Sequence, residues 1–563
     1  ADGADGADGA DGADAAAAPW RVNGFIYHGT TPAAIIEQHT AVTGRMLALP
    51  DWVQAGGLVA GWEGGTAKVR DFWTQLKNAN VSLAGFWLQD WTGLRDDVFG
   101  KRLWWNWELD EDWYPEWGDL VRDLRNASAV PGDGPRVLTY MNPYLANTVT
   151  RDKPNKRRDL WAEAAAAGYL IKNATGGPYV QHSASKTFSF SAIDLTSEAA
   201  RAWTKRVIRC NMLGDQAGCD GNATAVDGGM SGFMSDFGEY IPFDAVLSGG
   251  VSGADAHNAY PALWAQTCRE AIREAELEGD VVFFSRSANA RSPGQSTLFW
   301  AGDQLTTWDA YDGMQSAVRA MLSGGLSGMS LTHSDTGGYT EFKEHVYNIV
   351  RTEELLLRWV EFEAFSGAML RTHPGLLPDA SAQVTSDARS LAHFGFYSHV
   401  HKALGPYRKA TMYEATFRGT PLMRYMFMEF PADTQSWNLT SQFMFGSEFL
   451  VAPVLSKGET TNDNVYLPPG TEWTHVWSGK RFTCRGTPSE KMGATVLLMP
   501  PPLGCTVSVP APLGEVPAFV RMRNATDPAS DPALVVAAGE VTAVLQLLWA
   551  EWSPKMRRKV VKQ

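Results

Sequence analysis

Two aspartates stand where apolar segments of the chain end, and their carboxyl groups could do chemistry. Asp236 lies in FMSDFGEY and Asp303 in FWAGDQ, each framed by aromatic residues and glycine. Such a pair suits cleavage of a glycosidic bond, in which one aspartate attacks the anomeric carbon while the other, kept protonated, donates to the leaving oxygen. On pattern alone, either aspartate could instead cap the next helix or pair with an arginine.

A second candidate is the basic and aromatic segment GKRLWWNW (100–107), in a chain whose formal net charge is −13. Arg102 offers a planar set of fixed donors that suits an oxyanion, and the indole N–H of Trp105 adds a donor and no acceptor. The segment therefore indicates a local socket for an anion. The alternatives stay open here: Arg102 pairs with a carboxylate of the following ELDEDWYPEW, the other tryptophans pack in the core, and Lys101 is a solvated neighbour.

The composition argues against several classes of function. The excess of acidic residues (62 Asp and Glu against 49 Lys and Arg) disfavours a nucleic-acid partner, which needs a broad basic surface. No C-x-x-C, H-E-x-x-H or phosphate-binding loop occurs, so neither a metal nor an organic cofactor is predicted. No uninterrupted apolar run reaches ~18 residues, which predicts no membrane span. Cys210 and Cys219 could form a local disulfide or stay free thiols, and the sequence leaves oligomeric state and cellular compartment open.

Eight short segments must position these side chains. Each is almost continuously apolar and then ends in polar residues, which is typical of a strand buried on both faces of a parallel sheet. Eight such strands alternating with helical patterns predict an α/β fold, a (β/α)8 TIM barrel, whose polar strand ends converge on one mouth. The candidate strands lie within 56–62, 82–91, 135–144, 231–240, 280–287, 297–304, 327–335 and 367–373.

The remaining segments predict further parts of the molecule. Apolar residues at helical spacing in EHVYNIVRTEELLLRWVEFEAF, among them Val346, predict one helix there. The long gap after the third strand predicts an inserted subdomain, and short strands with Pro and Gly turns predict a C-terminal β-sandwich. The predicted organisation is a disordered low-complexity segment (1–19), a catalytic barrel with its lead-in (20–446, insert about 145–230), a C-terminal β domain (447–520) and a partly helical tail (521–563).

Four motifs resemble glycoside hydrolase family 31, the α-glucosidase clan: GFMSDFGEY, STLFWAGDQ, HSDTGGYT and LLLRWVEFEAFSGAMLRTH. The resemblance covers about residues 30 to 520. The usual nucleophile motif of its α-glucosidases, W-x-D-M-N-E, is replaced here by Asp-Phe-Gly-Glu, and the usual acid motif G-D-N by Gly-Asp-Gln. These variants, together with GKRLWWNW, resemble the sulfoquinovosidase branch. The family normally carries a β-domain ahead of the barrel, so the natural protein is expected to be longer.

The resemblance implies roles for individual residues. Asp236 takes the position of the nucleophile, and Asp303 takes that of the acid/base. Arg286, in FFSRSA, matches an arginine that hydrogen-bonds substrate near the acid/base. His373, in LRTH, matches a histidine that contacts ring hydroxyls, and Gln89, in WLQDW, stands where sulfoquinovosidases read the 4-hydroxyl of the sugar.

The same resemblance assigns recognition of a sulfonate to three residues. Arg102 and Trp105 match the pair that holds the sulfonate, and Tyr339 matches a tyrosine that reaches it through water. The physical chemistry agrees, because a sulfonate is a spread-out monoanion that a guanidinium binds with several fixed donors. An unpaired buried guanidinium costs free energy, so the socket is expected to reject glucose.

Four acidic or basic residues near the mouth have weaker assignments. Glu63, in GWEGG, faces the same mouth and is a candidate for reading a hydroxyl. His333 and Asp335 either orient the acid/base or stiffen the loop that carries them. Glu239 is expected to position a loop or an arginine rather than to attack the sugar.

These residues favour a retaining α-glycosidase that releases sulfoquinovose from sulfoquinovosyl glycerides, including deacylated sulfolipid. Its partner would be a small-molecule glycoside that carries a sulfonate, and no cofactor is needed. Two alternatives stay open. One is an α-glucosidase or α-xylosidase in which Arg102 has a structural role. The other is a non-catalytic carbohydrate-binding relic, which the presence of both carboxylates disfavours.

Overall fold

Eight parallel strands form a nearly closed barrel, in the places where the eight apolar segments predict them. The computed structural model describes residues 24–97, 100–130, 132–183, 186–221, 223–344, 348–484, 504–523 and 531–560, the last six by their backbone alone. The predicted segment 1–19 and Val346 lie outside these ranges. The barrel strands are β1 (Leu58–Gly61), β2 (Leu83–Trp87), β3 (Arg136–Met141), β4 (Gly232–Ser235), β5 (Val282–Ser285), β6 (Leu298–Trp300), β7 (Thr332–His333) and β8 (Leu370–Arg371).

The sheet runs in the order β7-β6-β5-β4-β3-β2-β1-β8. Its two ends meet where the Thr336 amide donates to the Arg371 carbonyl at 3.2 Å and Thr336 bridges Thr372. The strand residues are buried because helices cover the outer face and side chains fill the interior. All eight strands point the same way, so the residues that follow them gather at one mouth.

Helices cover the barrel, with two departures from the expected pattern. The predicted helix over EHVYNIVRTEELLLRWVEFEAF begins only at Glu353, because Asn348–Ile349 pairs antiparallel with Phe342–Lys343 and Thr352 caps the helix. No α-helix joins β5 to β6, where a short 3-10 turn suffices. The covering helices are Thr66–Asn78, Trp117–Arg125, Glu198–Asn211, Gly253–His257, Tyr260–Glu274, Met314–Leu326, Glu353–Ser366, Ala388–Ala403 and Gly405–Arg418, with Pro32–Thr43 and Asp51–Ala55 ahead of β1. Single 3-10 turns are Gln89–Thr92, Gln216–Gly218, Ser248–Gly250, Ser292–Gly294 and Thr434–Asn438.

Two small additions rise beside the mouth. An antiparallel hairpin (Leu94–Asp97 with Gly100–Leu103) follows β2, and a subdomain with its own three-stranded sheet and the helix Leu160–Ala166 follows β3. The subdomain is shorter than the predicted insert, because the helix Glu198–Asn211 already packs on Tyr260–Glu274 as a barrel helix. Its strands are Tyr144–Ala146, Gln181–His182 and Ser189–Ala192.

Antiparallel sheets form a sandwich after the barrel, as predicted, although the first strand begins before residue 447. Tyr397 of the barrel helix Ala388–Ala403 donates to the Gly514 carbonyl at 2.9 Å and ties the two domains together. One sheet contains Met423–Arg424, Phe443–Phe445, Phe449–Val451, Ala518–Met522, Glu472–His475 and Arg481–Thr483, in that order, and the other pairs Thr461–Leu467 with Cys505–Pro510; the helix Met426–Glu429 follows the first strand.

The described part of the tail is one helix, Pro532–Val560, which packs along the two barrel helices Ala388–Ala403 and Gly405–Arg418. Its stretch Pro532–Pro554 is long and apolar enough to cross a membrane by length and composition, and 28% of its most apolar window is buried against the protein. The criterion of an uninterrupted run missed this stretch because Glu540 and Glu551 interrupt it. The expected absence of a membrane span stays a prediction.

Two disulfides are present. Cys210–Cys219 joins the end of a barrel helix to the loop that follows, which decides between the alternatives left open by the sequence. Cys484–Cys505 joins two segments of the β-sandwich, a pairing that the sequence analysis did not predict. Cys268 is a buried free thiol.

Candidate active site

Asp236 lies directly after β4 and is held at the floor of the mouth. Its backbone amide donates to the Met141 carbonyl at 2.9 Å, and its Oδ1 accepts the Phe237 amide at 2.8 Å. Phe237 has a φ of 57°, a left-handed conformation that a bulky residue rarely adopts, and its carbonyl accepts the Ser287 hydroxyl at 2.6 Å. Strained backbone of this kind concentrates at functional sites, and here the strained residue supplies the amide that binds one oxygen of the Asp236 carboxylate.

Arg286, directly after β5, brings the two candidate catalytic carboxylates together. Its Nη1 lies 3.2 Å from Asp236 Oδ1 and 3.1 Å from Asp303 Oδ2, and its Nη2 lies 2.5 Å from Glu239. The separation of the two aspartate oxygens cannot exceed those two Nη1 distances laid end to end. The two carboxyl groups are therefore close neighbours, which is compatible with the ~5–5.5 Å separation of carboxyl groups in retaining glycosidases.

The environment of Asp303 favours its protonated form. Burial, together with the negative charge of Asp236, raises the pKa of Asp303 to about 7, although Arg286 opposes the shift. Its side chain is 42% exposed and Asp236 is 10% exposed, so Asp303 is the carboxyl group that faces the open mouth. An acid/base must be protonated near neutral pH while the nucleophile beside it is ionised. The raised pKa of Asp303 suits it to the role of acid/base.

Arg102 lies on the hairpin after β2 and forms no ion pair with any described residue. Lys101 forms an ion pair with Asp96 at 2.8 Å. Arg95 lies across the hairpin from Arg102 and forms an ion pair with Asp97 at 2.6 Å. Arg102 Nη1 donates to the Lys101 carbonyl at 2.8 Å, which leaves its other N–H groups free of described partners. The predicted alternative, in which Arg102 pairs with a carboxylate of ELDEDWYPEW, is not observed among the described residues.

Trp105 packs against Phe237, the residue that follows the nucleophile, and against the inserted subdomain. Its ring centroid lies 5.4 Å from that of Phe237 and 4.8 Å from that of Phe190 in the inserted subdomain. Its indole N–H donates to no described residue, whereas the fully buried Trp107 donates to the Tyr144 carbonyl at 2.8 Å. Of the two indole groups, that of Trp105 is therefore the one left available to a ligand.

Gln89 and Glu63 form a pair at the same mouth. The amide nitrogen of Gln89 donates to Glu63 Oε1 in a short hydrogen bond, which leaves the carbonyl oxygen of Gln89 to accept from a ligand. Burial, together with the charge of Asp90, raises the pKa of Glu63 to about 8, although the Gln89 hydrogen bond and the charge of Arg102 oppose the shift. Arg102 thus acts on the same cavity that Glu63 and Gln89 line.

Tyr339 and His373 lie next to each other at the mouth. Their rings lie 4.5 Å apart, and His373 Nδ1 accepts the Gly375 amide at 2.9 Å, so its N–H is on Nε2. Burial holds the pKa of His373 well below its ordinary range, so the ring is a neutral donor. Burial and the charge of Asp303 raise the pKa of Tyr339, and the charge of Arg102 opposes that shift.

His333 and Asp335 are held by one buried arginine below the mouth. Arg371 Nε donates to His333 Nε2 at 3.1 Å, and Arg371 also pairs with Asp335 in a very short contact. His333 Nδ1 donates to the Phe299 carbonyl at 3.1 Å, so neither ring nitrogen is left for a substrate. This geometry favours the structural role for His333. Glu239, as expected, holds an arginine.

Family models match most of the chain. The model for the glycosyl hydrolases family 31 TIM-barrel domain matches residues 48–393, and that for the glycosyl hydrolase family 31 C-terminal domain matches residues 419–524. The chain belongs to glycosyl hydrolase family 31. The family-31 resemblance given by the four motifs is therefore confirmed, and so is the barrel followed by an antiparallel sandwich.

Members of family 31 that resemble the chain include two sulfoquinovosidases. The chain is 37% identical over 491 residues to that of Escherichia coli (strain K12) and 33% identical over 506 residues to that of Agrobacterium fabrum, and these matches cover 87% and 90% of the chain. It spans 64% and 67% of the length of these relatives. A family-31 sulfoquinovosidase from E. rectale, solved with an aza-sugar inhibitor, superposes with a TM-score of 0.78 at 32% identity, covering 92% of this chain and 67% of that one.

Tyr140 contacts the nucleophile, and the sequence did not predict it as a site residue. Tyr140, near the end of β3, donates to Asp236 Oδ2 at 2.5 Å and is itself bonded by Asn142 at 3.1 Å. β3 pairs with β4 so that Tyr140 lies opposite Met234, two residues before the nucleophile. The polar end of the neighbouring strand, TYMNPY, was the available signal.

Proposed function

We propose that the chain is a retaining α-glycosidase that hydrolyses α-sulfoquinovosides, among them sulfoquinovosyl glycerol derived from sulfolipid. Asp236 is the nucleophile and Asp303 is the acid/base. The single observation that carries the choice of substrate is Arg102, a guanidinium at the mouth without a carboxylate partner among the described residues. The similarity to two sulfoquinovosidases supports the same choice.

The reaction proceeds by double displacement. In the first step Asp236 attacks the anomeric carbon while Asp303 gives its proton to the glycosidic oxygen, and the aglycone leaves as an alcohol. In the second step Asp303, now ionised, takes a proton from water as the water oxygen bonds to the anomeric carbon, and Asp236 departs with the bonding electron pair. The raised pKa of Asp303 and the shared contact of both carboxylates with Arg286 support these roles.

The substrate is held through its sulfonate and through its ring hydroxyls. A sulfonate accepts hydrogen bonds from the free N–H groups of Arg102 and from the indole of Trp105, and the Tyr339 hydroxyl orders a bridging water. The neutral His373 donates from Nε2 to a ring hydroxyl, and the carbonyl of Gln89 accepts from another. A 6-hydroxyl in place of the sulfonate would leave Arg102 without a charged partner, which disfavours a glucoside.

A side-by-side rate comparison tests this function. Purified protein is assayed for kcat/KM on a chromogenic α-sulfoquinovoside, the matching α-glucoside and the matching α-xyloside. We expect turnover of the sulfoquinovoside and little of the other two. Preferential hydrolysis of the α-glucoside or the α-xyloside would favour the alternative enzyme within the family.

Covalent trapping separates a catalyst from a carbohydrate-binding relic. A mechanism-based fluoro-sugar that carries the sulfonate is incubated with the protein, and the labelled peptide is identified by mass spectrometry. We expect an adduct on Asp236 that is absent from Asp236→Ala. A folded protein that binds the sugar and forms no adduct would defeat the proposed mechanism.

A further inference from the structure

We propose that Tyr140 is a positioning residue for the nucleophile, which holds the Asp236 carboxylate in its attacking orientation and takes up its returning charge when the glycosyl-enzyme is hydrolysed. This inference rests on the proposed function and deepens it. The described hydrogen bonds link Tyr140 to Asp236 and to neither Asp303 nor Arg286, so its direct contact with the catalytic groups is with Asp236.

The direction of the Tyr140 hydrogen bond is set by its neighbours. The Tyr144 amide donates to Asn142 Oδ1 at 3.0 Å, which turns the Asn142 amide nitrogen toward Tyr140. That nitrogen donates to the Tyr140 oxygen at 3.1 Å, so the tyrosine proton is left for Asp236 Oδ2, 2.5 Å away. The three groups form a chain of hydrogen bonds that ends on the nucleophile, and each member polarises the next.

The two oxygens of the nucleophile are thereby held by different donors. Oδ2 accepts from Tyr140, and Oδ1 accepts the Phe237 amide at 2.8 Å. Two contacts on opposite oxygens fix the plane of a carboxylate, which a single contact leaves free to rotate. Arg286 also contacts Oδ1, but the same nitrogen contacts Asp303, so that contact serves both catalytic groups.

Tyr140 stays a neutral donor throughout the working pH range. It is buried, and burial raises the pKa of Tyr140 well above its ordinary value, as does the adjacent charge of Asp236. A neutral donor of this kind stabilises an ionised carboxylate more than an ester oxygen. The second step, in which Asp236 regains its charge as it leaves, therefore gains most from Tyr140.

The test uses Tyr140→Phe, which removes the hydroxyl and keeps the ring. The rate at which the trapped fluoro-sugar adduct is hydrolysed is measured, together with kcat/KM against pH on the substrate that the wild-type protein turns over fastest. We expect the adduct to react about 10- to 100-fold more slowly, which is the range for losing one hydrogen bond to a charged group. The acid limb of the pH profile is expected to move to higher pH, because a donor to the ionised carboxylate is gone.

Two further variants keep the inference falsifiable. Tyr397→Phe removes an equally buried hydroxyl that donates to the Gly514 carbonyl, and it is expected to lower the melting temperature without changing either kinetic readout. Asn142→Asp replaces the donor to Tyr140 with an acceptor that draws the tyrosine proton away from Asp236, and it is expected to slow hydrolysis of the adduct as Tyr140→Phe does. If Tyr140→Phe does not fold, the rate of adduct hydrolysis in Asn142→Asp tests the positioning role of Tyr140, and an unchanged rate would contradict it.

The outcomes separate this inference from the function on which it rests. Wild-type turnover with an unchanged adduct lifetime and acid limb in Tyr140→Phe would overturn the positioning role and leave the proposed function intact. A wild-type protein that neither cleaves a glycoside nor forms an adduct would overturn the proposed function itself.

Discussion

Replacing Arg102 with alanine removes the one feature that separates sulfonate recognition from the chemistry of the two aspartates. With Nη1 partly used by the Lys101 carbonyl, the remaining N–H groups suffice for two charge-assisted hydrogen bonds to a sulfonate. Each such bond has a net worth of ~1.5–3 kcal/mol, so about 3 to 6 kcal/mol is lost. A Coulomb energy of ~4 kcal/mol for two charges about 4 Å apart near a protein surface is of the same size.

The expected result is a fall in kcat/KM on the α-sulfoquinovoside of about 10²- to 10⁴-fold, since each ~1.4 kcal/mol is a factor of ten. Turnover of an uncharged α-glucoside, however slow, is expected to change by less than about threefold, because no bond to Arg102 is lost there. Both are measured as initial rates at low ionic strength on protein whose circular dichroism matches that of the wild type.

Two variants of the same hairpin provide controls. Lys101→Ala removes the neighbouring cation, which is 62% exposed and already paired with Asp96, and it is expected to change either rate by less than about twofold. Arg102→Lys keeps the charge and loses the planar donors, and an intermediate loss on the sulfoquinovoside is expected. An unchanged kcat/KM in Arg102→Ala, or an equal fall on both substrates, would refute the reasoning.

Three further predictions concern the acid/base, the C-terminal helix and a disulfide. Since Asp303 must be protonated to act and its pKa is raised to about 7, kcat/KM is expected to fall as the pH rises through about 7; a profile that stays flat to about pH 9 would contradict this. Gly395→Ala places a Cβ 2.8 Å from the Trp552 ring, so we expect a lower melting temperature and faster proteolysis of the C-terminal helix with kcat/KM unchanged, and equal proteolysis rates would argue against this packing. Cys210→Ser opens the disulfide to Cys219 and is expected to reduce the free energy of unfolding in urea by about 2 to 3 kcal/mol; an unchanged midpoint would refute that role.

The barrel was predictable because its strands are buried on both faces. Segments such as the one that contains β4 are apolar throughout and turn polar at Asp236, so both the strand and its catalytic end can be read from the sequence. The helix before β8 was harder. Its apolar spacing runs smoothly through Ile349, but that residue pairs with Phe342 in a small hairpin, and tertiary pairing overrides local periodicity.

Contacts between residues far apart in the chain could not be predicted from the sequence. The Cys484–Cys505 disulfide joins two of five cysteines, and spacing alone does not select that pair. Tyr140 likewise reads as one more apolar strand residue until the register of β3 against β4 places it next to the nucleophile. The polar end of TYMNPY indicates that this strand end could belong to the site, and the register then shows that Tyr140 reaches Asp236.

The assignment of Arg102 shows where sequence and structure each contribute. In a chain with 62 acidic residues, an arginine more often than not finds a carboxylate, so its type and position alone left a structural ion pair open. In the hairpin, the two aspartates pair with Lys101 and Arg95, and the third cation, Arg102, has no ion pair with any described residue. Its charge opposes the raised pKa values of Glu63 and Tyr339. Arg102 is half-buried, so solvent can hydrate it in the absence of a ligand, and its free N–H groups stay available to an anion.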